Sequence, residues 1–494
     1  MLGGTVLTTA AMGAVDKTAI DGGIPGIVLM EAAGRAITRA IVDRFRPCRV
    51  LVLAGPGNNG GDGYVVARRL QAAGWPVMVA AFGDRGRLQG DAASAAARWP
   101  GPVAPLQQAP GLPGDLVVDA LFGAGLDRPL DDDLAKTLER CTTGRRHIVA
   151  VDVPSGVDGS TGAVSPGTPR AALTVTFCRP KPGHLLQPAA GLMGEIVCAD
   201  IGIPDAAVAA HDVGLRVNTP AEWAHRLPQR TAEAHKYDFG HALIIGGGAA
   251  QTGAASMAAL AAARVGAGLV TVAAPAEALA TYAVRGASLM TRSLDTPGDL
   301  DRLLGERRFS AILFGPAAGL GPRTTAILEK LVAADRPLVL DADALTALGM
   351  LQRDNGRPPE LAPATVLTPH DGEFRRLSAA TGDRLRRARE AAAAFGCTVL
   401  LKGADTVVAA ADGRARLNPR APGNLATAGT GDILAGMITG LAAQGLEPFD
   451  AAAAAAWLHG VAAAACPTPM LATDLLPQLS GALAAALSAG ARSG

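Results

Sequence analysis

Short, nearly continuous runs of apolar residues recur along this chain, separated by stretches whose apolar positions follow a helical period. In the first half the runs are Arg49–Ala54, Pro76–Phe82, Asp115–Leu121, His147–Asp152, Ala172–Phe177 and Glu195–Asp200. Runs of this length without polar alternation suit parallel strands covered on both faces. Helical patterning spans Met12–Asp21, Ile27–Val42, Tyr64–Ala73 and Gln89–Ala97. This alternation predicts a doubly wound α/β sheet. The stretch Ile201–Gly240 breaks the rhythm, being rich in Ala, Pro and polar residues without a strong strand, and a domain boundary is expected near Val213–Pro220. The rhythm resumes with His241–Gly246, Leu269–Ala273, Ala311–Gly315, Pro337–Asp341, Val366–Thr368 and Thr398–Lys402. The pattern predicts two three-layer α/β/α domains, residues 1–214 and 215–494.

A length of 494 residues agrees with more than one core. Aromatic residues make up only 3% of the chain, so the cores must be built from Ala, Val, Leu and Ile. Lys+Arg 45 against Asp+Glu 44 argues against a broad nucleic-acid or membrane surface. Cys48, Cys141, Cys178, Cys198, Cys397 and Cys466 form no Cys-x-x-Cys pair and no Cys/His zinc spacing, so they read as reduced core residues of a cytosolic protein. No secretory signal is visible at the N-terminus. The longest apolar stretch, Ala451–Cys466, carries His459 and lies between Asp450 and Pro467, which reads as a buried helix rather than a membrane span.

Candidate chemistry gathers at strand ends. Gly55-Pro56-Gly57-Asn58-Asn59-Gly60-Gly61-Asp62-Gly63 follows the first strand and precedes a helix expected to start near Tyr64. Glycines there permit positive φ and close backbone approach to a ligand, and amides at a helix N-terminus suit phosphate. The Asn and Asp side chains offer oxygens to a cation or a ribose; a simple tight turn is the competing reading. Val118-Asp119-Ala120-Leu121-Phe122-Gly123-Ala124-Gly125-Leu126-Asp127-Arg128-Pro129 and Val151-Asp152-Val153-Pro154-Ser155-Gly156 end two further strands with carboxylates. Carboxyl ends of parallel strands are where open α/β sheets bind ligands. Leu29-Met30-Glu31-Ala32-Ala33-Gly34 on an early helix reads equally as helix packing.

In this order, from about Met12 to Asp200, these motifs resemble the NAD(P)H-hydrate epimerase family, the YjeF N-terminal domain. The resemblance implies a Rossmann-like sheet with substrate held by Asn58, Asn59, Gly60, Gly61 and Asp62, and by Gly123, Ala124, Gly125, Leu126, Asp127, Arg128 and Pro129. It implies K+ on Asn59, Asp119 and Ser155, with Asp152 as substrate ligand and base. Oxygen donors without sulfur or imidazole suit a hard monovalent cation.

The second half carries a different set. Asn424-Leu425-Ala426-Thr427-Ala428-Gly429-Thr430-Gly431-Asp432 runs into the helix-like stretch Ile433–Ala443. Amides of Thr430, Gly431 and Asp432 at that helix start would face a transferring phosphoryl group, and Asp432 is placed to take a proton from an attacking hydroxyl. Lys402-Gly403-Ala404-Asp405-Thr406 suits a nucleotide, and lysine is scarce beside arginine in this chain. Thr368-Pro369-His370-Asp371-Gly372-Glu373-Phe374 and Leu340-Asp341-Ala342-Asp343-Ala344-Leu345 end two more strands; Asp341 and Asp343 read equally as helix caps, and His370 also reads as a satisfied strand-end histidine. His235–Gly240 leads into Ala242–Gly248, followed by Thr252-Gly253-Ala254-Ala255 on a helix ending near Gly266.

From about Asn218 onward this set resembles the ribokinase-like superfamily and, more closely, ADP-dependent NAD(P)H-hydrate dehydratase. That implies hydrate contacts from Ala254, Gly319, His370 and Asp432, and adenine-nucleotide contacts from Lys402, Gly403, Ala404, Asp405, Thr406 and Gly431. One departure is the turn Gly315-Pro316-Ala317-Ala318-Gly319-Leu320-Gly321, where two inserted alanines shift a compact Gly-Pro-Gly-Leu-Gly pattern and open the register of Gly319.

Together the halves resemble bifunctional NAD(P)H-hydrate repair enzymes. The implied chemistry is epimerisation of the R and S hydrates of NADH and NADPH, then ADP-dependent dehydration of the S hydrate with release of AMP and phosphate. K+ is implied at the first site, Mg2+ and ADP at the second. No nucleic-acid or membrane partner is implied, and a cytoplasmic homo-oligomer is expected. The competing readings are a vitamin or sugar kinase of the ribokinase superfamily and an N-terminal domain that only binds. A kinase explains Gly429–Asp432 but not Lys402–Thr406 with Thr368–Phe374; a scaffold does not need both Asp119 and Asp152.

Overall fold

The computed structural model describes residues 4–490 apart from 127, 145, 335, 357 and 420. The chain divides into two compact units, Met1–Leu215 and Arg216–Gly494. Among the described residues the first unit contains β1 (Val50–Ala54), β2 (Val77–Ala81), β3 (Val103–Pro105), β4 (Leu116–Ala120), β5 (His147–Val151), β6 (Leu173–Phe177) and β7 (Glu195–Ala199). Their order is β3-β2-β1-β4-β5-β6-β7, and every pairing is parallel. The order reverses between β1 and β4, the switch point at which such sheets open a crevice. All six expected strands are present. β3 was not foreseen, because three residues at a sheet edge leave too little apolar pattern to read.

Helices α1 (Thr9–Asp21), α2 (Gly26–Val42), α3 (Asn58–Ala72), α4 (Gly90–Ala97), α5 (Asp132–Thr142) and α6 (Asp205–Ala209) accompany this sheet. Side chains alternate across a strand. Val50, Val52 and Ala54 of β1 therefore join one core with α2, α3 and α4, while Leu51 and Leu53 join another with α5. The result is a sheet between two helical layers.

The start of α3 corrects the sequence reading. The helix begins at Asn58, not near Tyr64, so Asn58–Gly63 form its first turns. None of Gly60, Gly61 and Gly63 has a positive φ. Their missing side chains serve packing against protein instead. A Cβ at Gly60 would strike the Gly55 carbonyl, one at Gly61 would lie 2.6 Å from Met30 Cε, and one at Gly63 would lie 2.8 Å from Ala120 Cβ. The glycines seat the helix N-terminus on the strand ends.

The second unit rests on a ten-stranded sheet of order β11-β10-β9-β12-β13-β14-β15-β16-β17-β8 among the described residues. Its strands are β8 (Leu215–Val217), β9 (His241–Ile245), β10 (Leu269–Ala274), β11 (Met290–Ser293), β12 (Ala311–Phe314), β13 (Leu338–Leu340), β14 (Thr365–Leu367), β15 (Thr398–Leu401), β16 (Val407–Ala409) and β17 (Ala415–Leu417). Pairings from β11 to β15 are parallel, and β15-β16-β17 is an antiparallel meander. β8, β11, β16 and β17 were not foreseen; each has three or four residues, and an antiparallel extension breaks the strand–helix rhythm used to find the others.

This sheet carries α7 (Gly253–Arg264), α8 (Leu279–Arg285), α9 (Pro297–Gly305), α10 (Pro322–Val332), α11 (Asp343–Asn355), α12 (Asp371–Leu377), α13 (Arg384–Phe395), α14 (Thr430–Ala443), α15 (Pro448–Ala464) and α16 (Leu475–Gly490). The α7, α14, α15 and α16 layer packs through alanines such as Ala258, Ala262, Ala435 and Ala451–Ala456, as an aromatic-poor composition requires. No helix among the described residues is long and apolar enough to cross a membrane; the Ala451–Cys466 stretch forms most of the buried helix α15.

Two glycines set how closely α14 lies on α7. A Cβ at Gly436 would fall on the Ala258 carbonyl, and one at Gly440 on the Ala262 carbonyl. Backbone cannot swing aside, so Gly436→Ala should force the helices apart and cost about 1–3 kcal/mol. A lowered urea midpoint with an unchanged slope is the expected result.

Candidate active sites

A cleft of about 830 Å³ opens beyond the carboxyl ends of β1, β4 and β5. Asn58, Asn59, Asp62, Gly123, Ala124, Gly125, Leu126, Arg128 and Asp152 line it, as expected for substrate-holding residues. Gly60 and Gly61 do not; both are buried in the packing under α3. Pro129 is exposed and off the cleft wall, and Asp127 lies outside the described residues. The early-helix motif serves packing: Gly34 accommodates the Val65 side chain, and Glu31 pairs with Arg68 at 2.5 Å and Arg69 at 3.0 Å. Leu29, Met30 and Ala33 nonetheless form part of the cleft wall.

Asp152 sits at the centre. Its φ of 65° is left-handed, and the Val153 amide donates to the Val151 carbonyl at 2.9 Å across it. This tight turn is strained for a residue with a Cβ. The side chain is held by three donors: Lys181 Nζ and Thr176 Oγ1 to Oδ1, and the Ala124 amide to Oδ2, each at 2.8 Å. Burial is the largest influence and pushes the carboxyl upward, but the Lys181 ammonium, His184 and the hydrogen bonds from Lys181 and the Ala124 amide together outweigh it and hold Asp152 well below the usual carboxylate range. Beneath it, His184 Nδ1 accepts from the Lys181 amide at 2.9 Å, so Nε2 donates to the Asp152 carbonyl at 2.8 Å. Burial keeps that imidazole neutral by lowering its pKa.

Asp119 and Ser155 are fully buried at the same strand ends. Asp119 Oδ1 accepts from Ser155 Oγ at 2.6 Å and Oδ2 from the Ser155 amide at 2.8 Å. No cationic side chain pairs with Asp119 among the described residues, and burial pushes its carboxyl up. Asn59 Nδ2 is buried without a partner. A Cβ at Gly123 would meet both Asn59 Oδ1 and Asp152 Oδ2 at 3.1 Å. A buried carboxylate lacking a counter-charge, amid oxygen donors, fits a hard monovalent cation.

In the second unit the ends of β13, β14 and β15 converge on α14. Lys402 Nζ lies 2.8 Å from Asp341 Oδ1 and 3.9 Å from Glu373 Oε2. Gly429, with φ 93°, caps α14, and a Cβ at Gly431 would come within 3.4 Å of Lys402 Nζ. Asp432 thus faces this group from the first turn. Burial raises its pKa to about 6, the Asp341 charge adds to the rise, and Lys402 opposes it. Asp341 is a lysine partner, not a helix cap: Ala342 caps α11 without a side-chain bond. Asp343 Oδ2 accepts from the Gly319 amide at 2.8 Å, which fixes the register of the Gly315–Gly321 turn.

His370 caps α12. Its Nδ1 accepts from the Gly372 and Glu373 amides at 2.9 and 3.3 Å, while Glu373 Oε2 accepts from the His370 amide at 2.9 Å. One ring nitrogen is therefore committed to structure, and on this half-exposed ring the other, Nε2, lies 3.6 Å from Glu373 Oε1. In the loop after β15, Thr406 Oγ1 donates to the Gly403 carbonyl at 2.8 Å, and Asp405 pairs with Arg384 Nε at 2.9 Å. Asp405 shapes this loop through Arg384, which also pairs with Asp371 at 2.7 Å.

The family profile described as YjeF-related protein N-terminus matches residues 26–183, and the profile described as NAD(P)H-hydrate dehydratase matches residues 242–484. A bifunctional NAD(P)H-hydrate repair enzyme of Moorella thermoacetica is 39% identical over 492 residues, covering 92% of this chain and 91% of that one. Its counterpart in Salinibacter ruber is 39% identical over 528 residues, covering 96% and 95%. The chain belongs to the bifunctional NAD(P)H-hydrate repair enzyme family. A crystal structure of ADP/ATP-dependent NAD(P)H-hydrate dehydratase from Bacillus subtilis, co-crystallised with ATP/Mg2+, aligns at 28% identity and TM-score 0.47, covering 54% of this chain and 96% of that chain.

In this repair-enzyme chain the tertiary structure adds Asp16, Thr176, Lys181 and His184 to the first site and His459 to the second. His459 on α15 is buried, and burial lowers its pKa to about 4. One signal was available: the sequence has six lysines, and Lys181 and Lys402 are the ones that contact the two strand-end aspartates.

Removing Lys181 tests the Asp152 environment. In the wild type the depressed Asp152 pKa stabilises the fold above the unfolded carboxylate value, and that contribution is lost as pH falls through the folded value. In Lys181→Met the ammonium that opposes burial is gone, Thr176 and the Ala124 amide remain, and the folded pKa of Asp152 rises. The variant should lose about 3–5 kcal/mol at pH 7 and recover part of it at pH 5, as read by urea midpoints at both pH values.

Proposed function

We propose that residues 1–214 form the epimerase module and residues 215–494 the dehydratase module of this repair enzyme. The observation that carries the reading is that each unit of a chain matched over 92% of its length by a bifunctional repair enzyme builds its own lysine–aspartate centre at parallel-strand ends. The chain repairs hydrated NADH and NADPH by epimerising the R and S hydrates and dehydrating the S hydrate.

In the first module Asp152 touches the reacting nicotinamide ring, while the α3 N-terminus and the Gly123–Arg128 loop take the rest of the dinucleotide. Asn59, Asp119 and Ser155 would hold K+, which neutralises the buried carboxylate. Through the 2.9 Å bond from the Phe122 amide to Ser155 Oγ, the same residues steady the substrate loop.

In the second module Asp432 accepts the proton of the C6 hydroxyl as its oxygen attacks the β-phosphorus of ADP. AMP leaves, and the hydroxyl, a poor leaving group, has become a phosphate ester. The ring-nitrogen lone pair then expels phosphate, and loss of the C5 proton restores the dihydronicotinamide. The Thr430, Gly431 and Asp432 amides and Lys402 stabilise the migrating phosphoryl charge. Ala254, Gly319 and His370 contact the hydrate, and Lys402–Thr406 with Gly431 contact the nucleotide. Mg2+ screens the phosphate oxygens when bound, and the oxygen-rich surroundings of Asp341, Glu373 and Asp432 suit a hard divalent ion. Six free cysteines agree with a reducing, cytoplasmic setting.

The direct test is absorbance recovery from a mixed R/S hydrate with ADP and Mg2+. With K+ both epimers should convert; without K+ recovery should slow once the S fraction is spent. No recovery with any adenine nucleotide would overturn the reading, and accumulation of a phosphorylated vitamin or sugar alcohol would favour the kinase.

Asp432→Asn should slow dehydration by about 10²–10⁴-fold and leave R/S exchange intact. A base with a pKa of about 6 must be ionised to act, so the wild-type dehydration rate should climb with pH through about 6 and level off. The variant should lack that limb.

A further inference from the structure

The first cleft holds more carboxyl groups than its cation can neutralise. Asp16 on α1, Asp62 on α3 and Asp152 after β5 all line it; Lys181 is the near counter-charge of Asp16 and Asp152, while Asp62 has only the like charges of those two beside it. Asp152 monopolises Lys181, Thr176 and the Ala124 amide. Neither Asp16 nor Asp62 accepts a hydrogen bond from a side chain or amide among the described residues.

Asp16 is the less easily explained. It sits in the middle of α1 and caps nothing, since Thr8 performs that role. Its neighbour Lys17 shows what a solvated position on this helix does, pairing with Asp21 one turn on at 2.7 Å. Asp16 instead lies on the flank of α1 that carries Met12 toward the cleft. The helix is pinned there: Met12, Val15 and Ala19 pack with Leu29, Cys178 and Ile203, and the Thr9 amide and hydroxyl bond Ser160 Oγ at 3.1 and 2.6 Å. A rigid helix that aims an unpartnered carboxyl into a ligand cleft gives up stability at that position, as functional groups do.

We propose that Asp16 is the proton donor and acceptor of the epimerase cleft, working opposite Asp152. The assignment rests on the epimerase reading of this cleft. Asp16 in its acid form gives its proton to the C6 hydroxyl. The C6–O bond breaks, its electron pair leaving with water, and the N1 lone pair closes the C6=N1 iminium. That cation is held against the Asp152 carboxylate. Water then adds to the opposite face of C6, the C6=N1 electron pair returns to N1, and the proton shed by the added water restores Asp16. Two carboxyl groups driven apart in acidity by their surroundings are the usual mark of such a division of labour. Burial lifts Asp16 to about 6, tempered by Lys181 and reinforced by Asp152, whereas Asp152 is held ionised. The other charged or titratable groups at the cleft are Asp62, lifted by burial, Asp91 on α4, Arg128 in the loop after β4, and the neutral His184 beneath Asp152.

The test uses the full chain loaded with K+ and reads R-to-S exchange by chromatography, with dehydration of purified S hydrate at the other site as internal control. Asp16→Asn should lower the exchange kcat at least 100-fold with KM changed less than threefold, and dehydration should be unaltered. Wild-type exchange should fall as pH rises past about 6, where Asp16 loses its proton; the variant should lose this limb, and Asp16→Glu should regain part of the rate. Because the folded state disfavours ionised Asp16, Asp16→Asn should melt at or above the wild-type temperature at pH 7, so that lost exchange is not lost fold. Exchange by Asp16→Asn within threefold of wild type overturns the assignment. So does removal of the pH limb by Asp62→Asn with Asp16→Asn retaining it. A wild-type chain that exchanges no epimers defeats the reading of the cleft itself.

Discussion

A buried lysine ammonium against an aspartate at the carboxyl end of a parallel strand is the interaction on which both sites rest. Neither charge survives alone at such depth, because burial strips its hydration and only the partner compensates. Each pair therefore fixes its neighbours. Lys181 binds Asp152 and Thr176 together at the end of β6, and Lys402 ties the ends of β13 and β15 beside α14. Removing either lysine would leave a buried carboxylate without its ammonium partner.

The two pairs have opposite chemical consequences. In the first unit the lysine is spent on Asp152 at the cleft, whose carboxyl is held below the usual range. In the second the lysine is spent on Asp341, and the ligand-facing Asp432 is left with burial and a like charge, which lift its pKa toward neutrality. A carboxylate of that kind trades protons readily. One scaffold device thus leaves a lowered carboxyl pKa in one unit and a raised one in the other, according to which aspartate takes the ammonium.

Close packing through glycine supplies the geometry around these charges. Gly60, Gly61 and Gly63 let α3 descend onto the strand ends, and Gly436 and Gly440 let α14 lie against α7. In each case the helix N-terminus arrives beside the lysine–aspartate pair.

The sequence by itself determined the layered architecture, the strand runs from Arg49 to Lys402 and the strand-end motifs, because a strand buried on both faces and a loop at its carboxyl end are local patterns. It also marked Asp119, Asp152, Lys402 and Asp432 as chemistry-bearing. Only the tertiary structure decided where α3 begins, that its glycines serve packing rather than φ, and that Asp341 partners a lysine instead of capping a helix. Only it brought Lys181, His184 and Asp16 to Asp152. Lys181 and His184 come from one 3-10 turn and its cap, and Asp16 from a helix far earlier in the chain; an ion pair between distant segments has no period for a sequence to display. Three-residue strands escaped for the related reason that they are held by their neighbours' hydrogen bonds and not by their own pattern.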